Sequence, residues 1–503
     1  MKKIFTIAVS AAVLLTSVAC SKDFVTPKHN SSEPFDEYLN TEARMHESLV
    51  AAYHPLFWFD YFYQYCALHL VSDIMADDIY CGGESENDQK PLSYTHLYTL
   101  NATEQSSTIW TICYSGINRA CQVLEHVDAV EDMSDETKEL YKAEAIVLKA
   151  FYYNILWKFW GNVPYYDVNL TSPYFAPQLG HDEVYAKIVG NLEKVFEMDA
   201  LPMKAAGGNE GHVTKAMAYM LYAETVMYQN DDTRYAKALA YMQEIIDSKQ
   251  YSLVSDFAGM WEETGEWGSE SIWEINYFSE GGIRDWGAPL NAGGNVFSVL
   301  TGINGVNSTR FQPGWGFGTV AKAAYDMYED GDIRKDGGIL NWEKYVAEQE
   351  PGATYDDGRW ENTGYFLLKY IARKNGNHGY LASDNLNYGN NIRYYRYAET
   401  LLNAAELSLL TGKDGSAYLK EVRDRAHCTE TGTGREDIIT ERRKEFVGEG
   451  KRYWDLVRTG QAANVLKAAN HEYRKIDWTE SKKYWPIPQT ELDKDKDLVQ
   501  NNY

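Results

Sequence analysis

SDETKELYKAEAIVLKAFYYNILWKFW, residues 134–160, carries the clearest single period in this chain. Ser134 is a helix-capping residue, and Asp135 and Glu136 follow in the first turn, where the helix dipole favours anions. Leu140, Ala143, Val147, Phe151, Ile155 and Phe159 then recur at helical spacing until Gly161 and Pro164 stop the run.

The same period appears on both sides. It predicts helices over residues 40–53, 58–78, 106–126, 183–197, 214–228, 235–246, 394–411, 415–426 and 437–457. Alanines sit at neighbouring turns in several of them: Ala143, Ala145 and Ala150; Ala216, Ala218 and Ala223; Ala404 and Ala405. Small residues let helices approach closely, as stacked helical hairpins require. The fold class is therefore mainly α and resembles a tetratricopeptide-like hairpin scaffold, although no strict period of about 34 residues is visible and periodicity alone does not separate it from a generic helical domain.

Residues 251–390 differ. Glycine and asparagine are dense there, and tryptophan recurs at Trp261, Trp267, Trp273, Trp286, Trp315, Trp342 and Trp360. Two alternating stretches, SIWEINYF (271–278) and GYFLLKYI (364–371), read as short strands. This part is expected to be a loop-rich excursion on the helical scaffold, and loops held on a scaffold tend to carry binding function.

The front end places the protein. Lys2 and Lys3 precede an apolar run from Ile4 to Val18, too short to span a bilayer comfortably, and Ala19 supplies a small residue before Cys20. An ordinary secretory signal needs no cysteine at that point, whereas a bacterial lipoprotein signal does, because the Cys20 thiol and its new amine take fatty chains. Several such chains anchor a protein stably where one holds it only marginally. The expected organisation is a signal peptide over 1–19, a lipidated flexible tether over 20–36 and one domain over 37–503, its scaffold at about 37–250 and 391–503 and its excursion at about 251–390. The other five cysteines, Cys66, Cys81, Cys113, Cys121 and Cys428, are odd in number and irregularly spaced, so they form no disulfide framework.

Forty-eight basic residues against 73 acidic ones give a net charge of −25, and loss of Lys2 and Lys3 with the signal would take it to −27. So acidic a surface repels phosphate backbones and excludes nucleic acid as a partner. HExxH, GxSxG, CxxC and GxxxxGK are all absent, the histidines lack metal-ligand spacing, and YEDGDIRKDGG (328–338) fails as a calcium loop because Arg334 takes a ligand position. No metal, cofactor or catalytic residue is assigned. In TERRKEFVGEGKRYWDLVR (440–458), Glu441, Glu445 and Glu449 recur every four residues. The arginines and lysines between them favour ionised carboxylates, so this stretch reads as an ion-paired strut, not an acid–base site.

Several stretches, taken in order, resemble the SusD/RagB family of surface nutrient-binding lipoproteins. They include VSDIMADDIY (71–80), IWTICYSGINRACQVLEHV (109–127), AEAIVLKAFYYNILWKFWGNVPY (143–165), IRYYRYAETLLNAAEL (392–407), ITERRKEFVGEGKRYWDLVRTG (439–460) and YWPIPQTEL (484–492), besides Cys20. The resemblance implies a non-catalytic protein, lipid-anchored to the outer membrane and facing the exterior. It would sit over a SusC-like TonB-dependent transporter as a lid that captures a glycan. Peptide capture by the same kind of protein and a lipidated glycoside hydrolase are the alternatives. A sugar ring needs a flat apolar surface beneath its C–H face and polar groups at its edge. Candidate glycan contacts are therefore aromatic residues in predicted loops beside polar partners: Trp58 with Asp60, Tyr80 with Asp78, Trp286 with Asn291, and Trp315 in QPGWGFG.

Overall fold

The computed structural model describes residues 38–279, 284–374 and 386–503. Cys20, the expected signal peptide and the expected tether lie outside the described residues. The scaffold begins with α1 (Glu42–Tyr53), α2 (Thr108–His126), α3 (Asp135–Trp160), α4 (His181–Met198), α5 (Lys215–Gln229) and α6 (Tyr235–Asp247). It resumes after the excursion with α7 (Tyr397–Leu410), α8 (Ser416–Ala426), α9 (Arg435–Glu445) and α10 (Arg452–Arg458). Each of α1 to α6 packs on the next, α6 then packs on α7, and α7 on both α8 and α9. This is the stacked-hairpin arrangement the alanine pattern predicts.

The helix of the opening stretch is the centre. Ser134 Oγ accepts the Thr137 N–H at 3.1 Å, and Gly161 closes the far end with φ +69°. From Ala143 to Trp160 nearly every residue is buried, polar ones included. Lys149 reaches Asp167 at 3.0 Å and Lys158 pairs with Glu224, so the buried charges on α3 have partners. Gly116 on α2 is required at the α2–α3 contact, since a Cβ there would lie 2.2 Å from the Tyr152 ring. The Tyr152 hydroxyl continues past it to donate to the Ala52 carbonyl of α1 at 2.9 Å.

Two predicted helices are broken in the structure. Residues 58–78 form a 3-10 turn (His54–Phe59), a bridge between Tyr61 and Tyr65, and only a short helix, Leu68–Asp73. Tyr63 at the tip of that bridge takes φ +56°, which no helix accommodates. The 437–457 prediction divides into α9 and α10 because Gly448 and Gly450 adopt φ +82° and +71° between them. The interruption leaves Glu441, Glu445 and Glu449 in an ion-paired network. Arg334 and Arg423 reach Glu441 at 2.6 and 2.8 Å, Arg396 and Arg425 reach Glu445, and Lys369 reaches Glu449 at 2.6 Å. Burial alone would raise the Glu445 and Glu449 pKa values, but these cations outweigh it and hold both carboxyls well below the usual range.

The excursion leaves the scaffold through β1 (Ser271–Ile275), contains the small pair β2 (Ile339–Asn341) and β3 (Tyr365–Leu367), and returns through β4 (Ile392–Arg396). β1 and β4 pair antiparallel, with Ile275 opposite Ile392, so both ends of the excursion are fixed at one place. β4 also replaces the first residues of the helix predicted from 394. Within the excursion, Ile303, Phe311, Leu340, Trp342 and Phe366 form a separate small core.

Candidate functional site

Four aromatic rings from three separate loops meet at the junction of scaffold and excursion. Tyr61 and Tyr65 come from the bridged loop after the first 3-10 turn, Trp286 from the turn over 285–291, and Trp315 from the glycine-rich loop. The contacts form a closed circuit. Tyr61 and Tyr65 have centroids 5.2 Å apart, Tyr65 and Trp315 5.6 Å, Trp315 and Trp286 5.9 Å, and Trp286 and Tyr61 5.4 Å. The two indoles are inclined by 32°, whereas Trp286 meets Tyr61 nearly edge-on at 80°. Trp286 is 44% exposed, and the other three rings are half-buried. So large an apolar surface left open at the rim of a loop cluster is a recognised mark of a binding site.

Each ring is held from behind. Asp60 accepts from Arg284 Nη1 and Nη2 at 2.7 Å each, and also from the Tyr61 and Val296 N–H groups at 2.6 and 2.7 Å. Arg284 gives further bonds to the carbonyls of Tyr61, Pro289 and Gly294, all at 2.7–2.8 Å. This buried pair therefore ties the Tyr61 loop to the Trp286 turn. The Trp315 loop is fixed differently. A Cβ on Gly314 would stand 2.3 Å from Gly302 Cα, so only glycine permits the close backbone crossing that presents Trp315. Arg359 Nη2 then donates to the Trp315 carbonyl at 2.9 Å.

Polar groups border the rings. Asp88 lies near enough to Tyr65 to contribute to its raised phenol pKa, behind burial and Tyr61 in effect. Burial likewise raises Tyr61. Both phenols keep their protons at neutral pH and can donate to a ligand. Asn291 is exposed at the end of the Trp286 turn.

Of the residues singled out in the sequence, the structure brings Trp286 and Trp315 together and leaves Asn291 exposed in the turn that carries Trp286. It corrects the rest by burying them. Trp58 packs under Phe62 and the Arg119 guanidinium and donates from Nε1 to the Leu290 carbonyl at 3.3 Å. Asp60 is the brace just described. Asp78 is taken up by Arg443, whose Nη2 and Nε approach at 2.5 and 2.9 Å. Tyr80 lies against His471 and Tyr473, 4.9 and 5.0 Å away. The sequence does not mark Tyr61 and Tyr65 as contacts, because their four-residue spacing reads as helix. The alternation Tyr61, Tyr63, Tyr65 in WFDYFYQY (58–65) was the available signal.

Comparison with known proteins identifies the family. A model described as "SusD family" matches residues 269–503, and one described as "Starch-binding associating with outer membrane" matches residues 23–225. The solved structure of surface glycan-binding protein A from Bacteroides thetaiotaomicron is 45% identical, covers 93% of this chain and 100% of its own, and superposes with a TM-score of 0.87. The chain belongs to the SusD/RagB family. The same Bacteroides protein has also been solved in complex with laminarihexaose, at 44% identity, 92% and 100% coverage and a TM-score of 0.86. A SusD-like protein, P38, of Formosa agariphila is 26% identical over 444 residues, 80% of this chain and 81% of its own. SusD-family membership accounts for the helical scaffold, and no helix among the described residues is long and apolar enough to cross a membrane.

Proposed function

We propose that this SusD-family protein is a non-catalytic, lipid-anchored glycan-capture protein of the outer-membrane exterior. It holds a β-linked glucan on the rings of Tyr61, Tyr65, Trp286 and Trp315 and passes it to a SusC-like TonB-dependent transporter. The closed circuit of four rings, open to solvent at Trp286, is the observation that carries the reading. The 32° inclination of the two indoles suits a chain that bends from one sugar to the next. A β-1,3-linked glucan curves in this way, whereas a β-1,4-linked one is a flat ribbon. Binding of laminarihexaose by the similar Bacteroides protein supports the same choice.

Calorimetry with laminarihexaose and cellohexaose tests it. Laminarihexaose is expected to bind the more tightly. Trp286→Ala or Trp315→Ala should each weaken it by about 1–3 kcal/mol, the worth of one stacked ring by analogy with base stacking. Unchanged affinity in both variants would remove the platform from the binding site. Incubation of the pure protein with laminarin should release no new reducing ends, and sustained release would replace capture by hydrolysis.

A further inference from the structure

A groove of about 760 Å³ lies between the first turns of α2, the loop over 164–176 and the C-terminal residues 491–498. We propose that it is a second glycan-binding groove, continuous with the platform, which takes up the part of a long glucan chain that the four rings leave uncovered. This rests on the reading of the platform as the primary glycan site.

Tyr174 and Phe175 stand at the mouth of the groove, 67% and 51% exposed. Two consecutive large apolar side chains left in water forgo the stabilisation burial would give, about 25 cal/mol for each Å², so their exposure calls for an occupant. Deeper in, Tyr114 and Tyr166 stack at 6.2 Å and 22°. The loop is held on α2 by several bonds, among them Tyr114 hydroxyl to the Pro164 carbonyl at 2.7 Å, Asn118 Nδ2 to Asn169 Oδ1 at 2.7 Å and the Asn169 N–H to Glu125. The aromatic walls are therefore set in place before a ligand arrives, and the size falls within the usual range for ligand sites.

Continuity with the platform comes through α2. Gln64, between Tyr63 and Tyr65, accepts from Thr108 Oγ1 at 3.3 Å, and Ser106 Oγ donates to the Tyr65 carbonyl at 3.4 Å. Thr111 and Ser115, which line the groove, lie three and seven residues beyond Thr108 and so on the same face. At 1.5 Å per residue the stripe from Thr108 to Ser115 runs about 10 Å. From Gln105 to Asn118 the chain has no charged residue, in a protein of net charge −25. A neutral stripe of hydroxyls and amides suits an uncharged sugar chain and offers nothing to a partner selected by charge. At the opposite wall Glu491 and Lys494 neutralise one another at 2.8 Å, and Asp495 adds the lining's one further charge.

The test compares laminaritriose, short enough for the platform alone, with polymeric laminarin, by calorimetry on the whole protein. The double variant Tyr174→Ala/Phe175→Ala should keep its melting temperature, lose about tenfold in laminarin affinity and retain that for laminaritriose. Thr111→Lys, a charge set on the exposed floor, should give the same selective loss. Equal losses for both sugars, or none for laminarin, would overturn the groove. So would variants that bind laminarin normally yet fail to co-purify with the outer-membrane transporter, since the groove would then dock a protein. Failure of the platform reading shows separately, as laminaritriose affinity untouched by Trp286→Ala.

Discussion

Asp60 and Trp286 separate two ways in which a residue can matter to the same site. Asp60 is buried and touches no ligand surface, but its carboxylate gathers four N–H groups and fixes two of the platform loops. Asp60→Asn should strip Arg284 of its charge partner and leave a buried guanidinium uncompensated. The expected cost is about 3–5 kcal/mol, read as a lower melting temperature together with weaker laminarihexaose binding. Trp286→Ala, on an exposed ring, should weaken binding with little change in melting. If Asp60→Asn melts normally and binds normally, the brace does not position the platform. Sequence alone ranked these two residues alike, because an aspartate beside a tryptophan looks the same at a sugar edge as at a buried arginine.

At the scale of elements, α9 and its neighbours bring the acidic composition into the interior. Burial would raise the carboxyls of Glu224 and Asp455, yet the lysines and arginines facing them lower both to about 2. A carboxylate depressed in the folded state adds stability that is complete above its unfolded pKa, near 4, and disappears as pH falls through the folded value. Stability owed to these pairs should therefore be level from pH 7 to about pH 5 and drop steeply between about pH 4 and pH 2. Melting temperature measured across that range checks it, and a level profile down to pH 2 would contradict the charge assignments. The strut character of Glu441, Glu445 and Glu449 was legible in the sequence but its partners were not: the interleaved Arg442, Arg443 and Lys444 turn to Asp455, Asp78 and Glu430, and the three glutamates are held by Arg334, Lys369, Arg396, Arg423 and Arg425. The break at Gly448 was legible too, as a weak helix position. The broken helix at 58–78 was legible only as the alternation Tyr61, Tyr63, Tyr65, which competes with a helical spacing of the same aromatic residues, and their ring partners come from loops more than 200 residues away.

For the molecule as a whole, the proposed anchor and the proposed site call for different experiments. Cys20→Ala should move the protein from the membrane fraction to the soluble fraction while laminarihexaose affinity stays unchanged. Membrane association that persists in cells lacking the transporter would contradict a lipid anchor. The excursion, fixed at its base where β1 meets β4, carries Trp286 and Trp315 to the scaffold's Tyr61 loop, so neither part makes the platform by itself.

What the sequence determined by itself was local. The period, caps and stops of α3 and the alanine-lined helix pairs rest on interactions within a few turns, whereas the cations around Glu445 are Arg334, Arg396 and Arg425, 20 to 111 residues away along the chain. Only the tertiary structure decided which aromatic rings face water. Trp58 and Trp286 are the same residue type in similar surroundings, and one is buried while the other is open because Arg284 meets Asp60 across 224 residues of chain. Exposure is set by what the rest of the chain folds over a residue, and no short stretch of sequence contains that information.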